Sequence, residues 1–333
     1  MTLRFVVLLV LACLLAGFRA CVGPQADGQG NIVFGVALPT LETMPYRLHA
    51  IAGAGAVGLL LALSGLALQA LLRNPLASPF TLGVSSGASF GVACVLALAA
   101  TTGLSAQAFG GEFGGALAGA ALSLTLVWML AKRASGRDAV ALALAGVVLG
   151  GVMSSAAMLL EQVVPRGLRG DLLAWMAGRI PELPAVSSLL ALWSIGIVAM
   201  LLLWRFAHVL DLLMLDDDEA AAAGVRLVPT RVGLFIIGGV LAAAAVAFAG
   251  PIGFVGLVAP HAARLFVSHR HALLVPATAL CGVIVLLGAD LLRQALDVGT
   301  GRLPVGVITA LAGGPFFLWL LSRSRRGGSE WNL

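Results

Sequence analysis

An all-α, polytopic membrane protein with about ten transmembrane helices is the fold that three features of the 333-residue sequence predict. Apolar runs of roughly 18 to 22 residues recur from end to end, each long enough to cross the hydrocarbon core of a bilayer. Residues are 60% hydrophobic and only 11% charged, with a mean hydropathy of +1.04; a soluble domain of this length has one apolar core and a far more polar surface. The 20 Lys and Arg residues fall in short clusters between the apolar runs. That placement is a topology signal; no basic face with interleaved aromatics suggests nucleic acid as a partner. The whole chain, 1–333, reads as a single transmembrane domain in a lipid bilayer.

Residues 5–17, behind Arg4, form the first span. A signal peptide ending at Cys21 is the other reading, opposed by Phe18-Arg19-Ala20, which lacks the small residues a cleavage site needs. Residues 23–47 form a long polar connection, on the outer side. The second span, about 48–70, runs through Gln69 into Leu71-Leu-Arg-Asn-Pro-Leu-Ala-Ser-Pro-Phe-Thr-Leu-Gly-Val-Ser-Ser-Gly-Ala88. Asn74, Pro75 and Pro79 stop helix continuation there, and Gly83 and Gly87, four apart, let backbones approach. Broken backbone at membrane depth survives only where protein or a cavity satisfies it.

The third and fourth spans cover about 82–102 and 113–131, the latter entered through Gly111, Gly115 and Gly119 at helical spacing, and Lys132, Arg133 and Arg137 mark a cytoplasmic loop. After a fifth span, about 139–160, Leu172-Leu-Ala-Trp-Met-Ala-Gly178 reads as a short helix at about 170–180. A sixth span, about 186–204, leads into a loop at about 206–230 that carries Asp216-Asp-Asp-Glu219, four alanines and Gly224. Carboxylates favour a helix's first turn, and the run lacks the ligand spacing of a calcium loop.

The seventh span, about 232–250, meets Gly250-Pro-Ile-Gly-Phe-Val-Gly-Leu-Val-Ala-Pro-His-Ala-Ala-Arg264. This eighth crossing is short, and Gly250, Gly253 and Gly256 recur every third residue, as for a close contact with no room for a side chain; Pro260 and His261 stand at its polar end. The ninth and tenth spans are about 272–292 and 304–321. With both termini in the cytoplasm, thirteen of the 20 basic residues lie inside and seven outside, in agreement with the positive-inside rule.

Catalytic constellations are missing. The five histidines form no H-E-x-x-H, His269 and His271 read as a solvated helix end, and Asp290 as a partner of Arg293 near the end of its span. Lys132, the one lysine, is preceded by Ala131, so the chain carries no G-x-x-x-x-G-K-[ST] phosphate loop. The four cysteines have no paired spacing and read as buried apolar residues, Cys21 alone being open to solvent. A carrier driven by an ion gradient usually holds ionisable groups at mid-membrane; this is the second reading, since broken helices also bind solutes through backbone alone.

The run from Gln69 to Ala88 resembles Q-x-x-x-x-N-P-L-A-x-P-x-x-L-G-x-x-x-G-A, a signature of the permease subunits of iron-siderophore, haem or vitamin B12 ABC importers, the FecCD or B12-permease type. The stretch 250–264 and Leu303-Pro-Val-Gly-Val-Ile-Thr-Ala-Leu-Ala-Gly-Gly-Pro315 share that resemblance, which runs from about residue 45 onward. It implies the type II ABC importer permease fold in a bacterial inner membrane, with two copies, as a homodimer or close heterodimer, around one pathway. It also implies partner P-loop ATPase subunits holding ATP and Mg, a secreted or periplasmic substrate-binding protein, and no cofactor on this chain. Leu215, Asp217, Ala220 and Gly224 keep the spacing of the family's ATPase-coupling loop, L-G-E-x-x-A-x-x-L-G, with Asp216 in place of a glycine and Ala223 in place of a leucine. The short helix with its W-x-x-G ending is external in the family. Members carry external arginines that meet glutamates of the binding protein; here Arg47 in Met44-Pro-Tyr-Arg47, Arg293 and Arg302 stand near those positions, slightly out of register.

Overall fold

The structure, a computed structural model, describes residues 2–26, 32–133, 139–164, 166–296 and 303–324. In order these form α1 (Thr2–Cys21), a hairpin of β1 (Val22–Ala26) and β2 (Ile32–Val36), α2 (Met44–Leu72), α3 (Val84–Thr102), α4 (Gly111–Arg133), α5 (Ala139–Glu161) and α6 (Arg166–Met176). Then come α7 (Val186–Arg205), α8 (Ala207–Leu212), α9 (Asp217–Ala222), α10 (Leu227–Ala249), α11 (Val255–Phe266), α12 (His271–Ala295) and α13 (Val305–Ser324). Eight helices among the described residues are long and apolar enough to cross a membrane, and α11 and α13 contribute shorter apolar segments. These ten coincide with the ten segments read from the sequence. The chain is an all-α polytopic membrane protein.

The axis of the bundle is α2. Pro45 in its first turn presets the helical φ where no donor is needed, and the following Leu, Ala and Gly residues are apolar all round, as a helix buried on every side must be. Of its apolar window 89% is buried, against 17% for α1. It packs against α7, α10, α11 and α12, while α3, α4 and α5 form a neighbouring layer. α2 stops at Arg73, which turns left-handed at φ +46°; the next residue, Asn74, precedes a proline and is pushed out of the helical region.

The polar connection 23–47 contains a hairpin not read from the sequence, since β1 and β2 pair antiparallel with Val22 opposite Val36; Val22, Ile32, Val33 and Phe34 suit a pleated backbone. The expectation that the cysteines are buried, with Cys21 alone open, is corrected. Among the cysteines, Cys13 is exposed on the uncovered face of α1, Cys21 is half-buried and Cys281 is buried.

Helices cross at glycines. A Cβ on Gly58 of α2 or on Gly282 of α12 would strike the other's carbonyl, and one on Gly65 would strike the carbonyl of Gly256 in α11. Gly87 and Gly91 of α3 face Gly119 and Gly115 of α4 in the same reciprocal way. Lipid is as apolar as leucine, so such helices associate through close van der Waals packing that a methyl group blocks.

Gly65→Ala therefore lowers the melting temperature in detergent, at a cost of about 1–3 kcal/mol for overpacking. Gly151→Ala, at a helical glycine with nothing within 4 Å of its added Cβ, leaves it unchanged or raises it by helix propensity. Equal thermal shifts for the two variants would refute the close crossing.

Candidate functional site

The site is built from three breaks in helical backbone, all tied to α2. At the first, Asn74 accepts the Leu76 N–H through Oδ1 at 2.9 Å, an Asx turn that carries the chain past Pro75. A single 3₁₀ turn, Pro79–Leu82, follows, with Thr81 donating to the Ser78 carbonyl at 2.6 Å. Gly83 then adopts φ +68° and opens α3. Its carbonyl accepts from the Ser123 hydroxyl of α4 at 2.9 Å, and a Cβ at Gly83 would lie 3.0 Å from the Gly146 carbonyl of α5. The signature residues thus hold a sharp corner against two other helices.

The second break separates α10 from α11. Gly250 leaves α10 at φ +69°, where a Cβ would strike the Trp175 carbonyl of α6. The freed Ala249 carbonyl takes the Arg179 N–H at 2.7 Å. Phe254, at φ +66°, is one of two non-glycine left-handed residues among those described, and α11 begins immediately after it. Pro260 lies inside α11 and has no N–H for the carbonyl of Gly256 four residues earlier. Gln69 Nε2 reaches that carbonyl from α2 at 3.4 Å, while Gln69 Oε1 accepts from Arg264 Nη2 at 2.9 Å. His261 is buried, with Nδ1 2.8 Å from the Leu257 carbonyl. Gln69, Gly256, Pro260 and Arg264 are therefore one arrangement. Of the three glycines, Gly250 and Gly256 are tight, but Gly253 is not: its nearest neighbour is the Phe80 ring, 3.9 Å from a built Cβ. Instead it lines an open, mainly apolar cavity of about 480 Å³ with Phe80, Met176, Pro251, Phe254 and Leu257.

The third break is the segment between α7 and α10. Asp216 stands with an extended backbone at the position before α9, without a side-chain bond to the helix, and Asp217, Asp218 and Glu219 fill the first turn, which suits the positive end of the helix dipole. The helix ends at Gly224, φ +88°, with Val225 N–H on Ala220 O at 3.0 Å and Gly224 N–H on Ala221 O at 2.9 Å. This paired closure needs a left-handed residue. Ala220 is buried, whereas Leu215, Asp218, Glu219 and Ala221–Gly224 are exposed. Asp217 stays half-exposed but is held from the bundle side: Oδ1 lies 2.6 Å from Arg73 Nη2 at the end of α2 and 2.7 Å from Arg231 Nη2 in α10. Arg73 Nε also donates to the Leu213 carbonyl at 2.6 Å. Partial burial alone would raise the Asp217 pKa, but the Arg231 and Arg73 guanidiniums outweigh it and hold the carboxyl below its ordinary range.

At the other end of α2, Arg47 and Arg293 are buried within the chain. Arg47 Nη1 donates to the carbonyls of Ala20 and Ala37 at 2.5 and 3.1 Å. Asp290, wholly buried, holds Arg293 Nη2 at 2.8 Å and also Arg19 Nε of α1 at 2.5 Å. Arg47 and Arg293 line the wall of a small cavity of about 170 Å³ with Tyr46, Glu182 and Gln294, and Arg293 borders a larger one of about 700 Å³ with Arg179 and Glu182. Arg302 lies outside the described residues. His271 is not solvated: it is buried at the start of α12, its N–H donating to Asp211 Oδ1 at 2.9 Å and its Nδ1 at 2.7 Å from the same oxygen.

Sequence reasoning missed Arg73, Arg231 and Arg264 as structural partners, as well as the Arg19–Asp290 and His271–Asp211 pairs. The partners are separated by 271 and 60 residues in the latter two cases, so no local spacing could have linked them.

The folded Asp217 pKa is lowered, so its ion pairs contribute stability above the unfolded carboxylate value, about 3.9, and lose it as pH falls through the lowered folded value. Hydrogen exchange over residues 215–225 is expected to be constant from pH 8 to about 5 after correction for intrinsic rates, and to show loss of protection below about 4. Asp217→Asn should show that loss at neutral pH. Protection retained in Asp217→Asn at pH 7 would exclude the double clamp.

Residues 5–323 match the FecCD transport family. The chain is 37% identical over 280 residues to the vitamin B12 import system permease protein BtuC of Vibrio cholerae, which covers 84% of this chain and 82% of that one. It is 35% identical over 279 residues to the hemin transport system permease protein HmuU of Yersinia pestis, with the same two coverages of 84% and 82%. With the molybdate import system permease protein MolB of Haemophilus influenzae it shares 32% over 318 residues, 90% of this chain and 83% of the relative. A solved structure described as an inward-facing metal-chelate type ABC transporter superposes with a TM-score of 0.80 at 30% identity, over 96% of this chain and 98% of the other. The signature corner, the proline-broken crossing satisfied from α2 and the exposed acidic helix α9 thus occur in a chain that belongs to the FecCD transport family, the membrane permeases of ABC importers.

Proposed function

We propose that this permease carries a metal chelate or metallated macrocycle of the siderophore, haem or cobalamin class inward across a bacterial inner membrane. Two copies surround one pathway, and ATP with Mg is bound and hydrolysed by separate P-loop ATPase subunits. The observation that carries this reading is the break at Gly250–Phe254. Non-helical backbone at membrane depth is tolerated where it is packed in protein or lines a cavity, and here it borders the apolar cavity of about 480 Å³. Such a wall suits a bulky, rigid solute delivered already desolvated. The relatives named for hemin, vitamin B12 and molybdate differ in cargo size, so the cargo follows from the binding protein that delivers it.

In this reading the α9 end of the bundle is cytoplasmic, as are both termini, and of the coupling-loop residues Leu215 and Gly224 lie on the exposed surface that meets the ATPase, while buried Ala220 and the paired Asp217 seat that loop on the bundle. The hairpin end and α6 are external. A binding protein docks there, with acidic side chains directed into the cavities that Arg47 and Arg293 border; Arg302 belongs to the same surface. Charges of this kind chiefly steer and speed association and weaken with salt.

Two measurements test the proposal. In proteoliposomes containing the cognate ATPase and binding protein, uptake of labelled cargo is expected to require ATP and to cease when the ATPase's phosphate-loop lysine is changed; uptake driven by an ion gradient alone would establish a secondary carrier. Gly224→Trp, placed where a built Cβ meets nothing within 4 Å but φ is +88°, is expected to separate hydrolysis from transport while the membrane dimer still forms. Normal coupling in that variant would move the ATPase contact away from α9.

A further inference from the structure

We infer that Arg73 is a positioning residue that transmits movement of α9 to the helix break lining the cavity, an inference that rests on the ATP-driven reading above. Its place is unusual. It is the last turn of the most buried helix, held left-handed at φ +46°, a conformation disfavoured for a residue with a Cβ. Its side chain spans two contacts outside α2, Nε on the Leu213 carbonyl at 2.6 Å and Nη2 on Asp217 at 2.6 Å. The segment from Leu213 at the end of α8 to Asp217 at the start of α9 therefore has a planar, two-point tie to the end of α2, a geometry that lysine cannot reproduce in full.

From that tie the connection is short. The Arg73 N–H bonds to Gln69 O, one turn back. The Gln69 side chain holds both Arg264 Nη2, at 2.9 Å, and the Gly256 carbonyl, at 3.4 Å. Gly256 is the second residue of α11, two residues beyond the left-handed Phe254 that walls the cavity. A displacement of α9 by an ATPase thus reaches the cavity wall through one ion pair, one helical turn and one amide side chain. Arg231, the other partner of Asp217, leads instead to the start of α10 and does not enter this chain. Spatial connection alone does not establish energetic coupling, so the two arginines are compared directly.

The experiment measures cargo imported per ATP hydrolysed by the full complex in proteoliposomes, alongside assembly and melting temperature in detergent. Arg73→Gln is expected to hydrolyse ATP and assemble as the parent does, while cargo per ATP falls by at least about fivefold. Arg73→Lys restores part of the loss, and Arg231→Gln stays within about twofold of the parent, below the roughly fivefold at which typical coupling effects begin. Parental cargo per ATP in Arg73→Gln, or an equal loss in Arg231→Gln, overturns the proposal and reduces Asp217 to an anchor. If Arg73→Gln does not assemble, Asp217→Asn decides, because it breaks the Arg73–Asp217 pair from the α9 side, together with the Arg231 pair that Arg231→Gln controls for, without altering the end of α2; coupled transport in that variant also overturns the proposal. Failure of the ATP-driven reading itself would show separately, as a parent complex with no ATP-dependent uptake.

Discussion

Inside a bilayer no water is present to satisfy a backbone carbonyl or amide, and three departures from straight helix among the described residues answer to that constraint. Pro260 would orphan the Gly256 carbonyl, and Gln69 reaches it from another helix. Pro276, inside α12, likewise leaves the Ala272 carbonyl without its helical donor, and Trp204 Nε1 supplies one at 3.0 Å. The Ala249 carbonyl at the end of α10 takes the Arg179 amide. Each break therefore requires a specific partner on a second element, and the breaks in turn fix how the helices sit.

Packing does the rest without a hydrophobic driving force between helices. The glycine pairs along α2, α11 and α12, and between α3 and α4, bring backbones within reach of one another. That proximity is what lets short polar groups such as Ser64, donating to the Gly238 carbonyl at 2.6 Å, and Ser123 bridge helices at all. Close approach and backbone satisfaction are thus the same design viewed twice: the glycines remove the space, and the removed space makes the hydrogen bonds short enough to count.

Much of this could be read from residue order. Ten apolar segments, the interruption at Asn74-Pro75, the short crossing after Gly250 and the acidic start of α9 all depend on local chemistry: length, proline, glycine and charge in a first turn. The unread parts are those in which a residue's environment is set by a distant one. Arg47 and Arg293 look like surface cations in sequence, but folding encloses them behind the hairpin and α1. Gly253 has the spacing of its tight neighbours, yet it falls in the non-helical turn, where period three no longer means one face. The hairpin strands are too short and too interrupted by Gly and Pro for alternation to register.

The Arg19–Asp290 pair bears on how the protein is made. Arg19 leaves the ribosome near the beginning of synthesis and its carboxylate follows 271 residues later, about 15–55 s at typical elongation rates. An arginine without a buried partner at a helix end favours the headgroup region, which its flexible stem can reach. Only when α12 inserts can the charge move inward and the first helix lock onto the bundle, which makes closure of this end a late event in biogenesis. A chain that stops before α12 has no carboxylate to neutralise Arg19, which keeps only its local contact with the Val22 carbonyl at 3.2 Å, so the first helix joins the bundle by charge pairing last although it is made first.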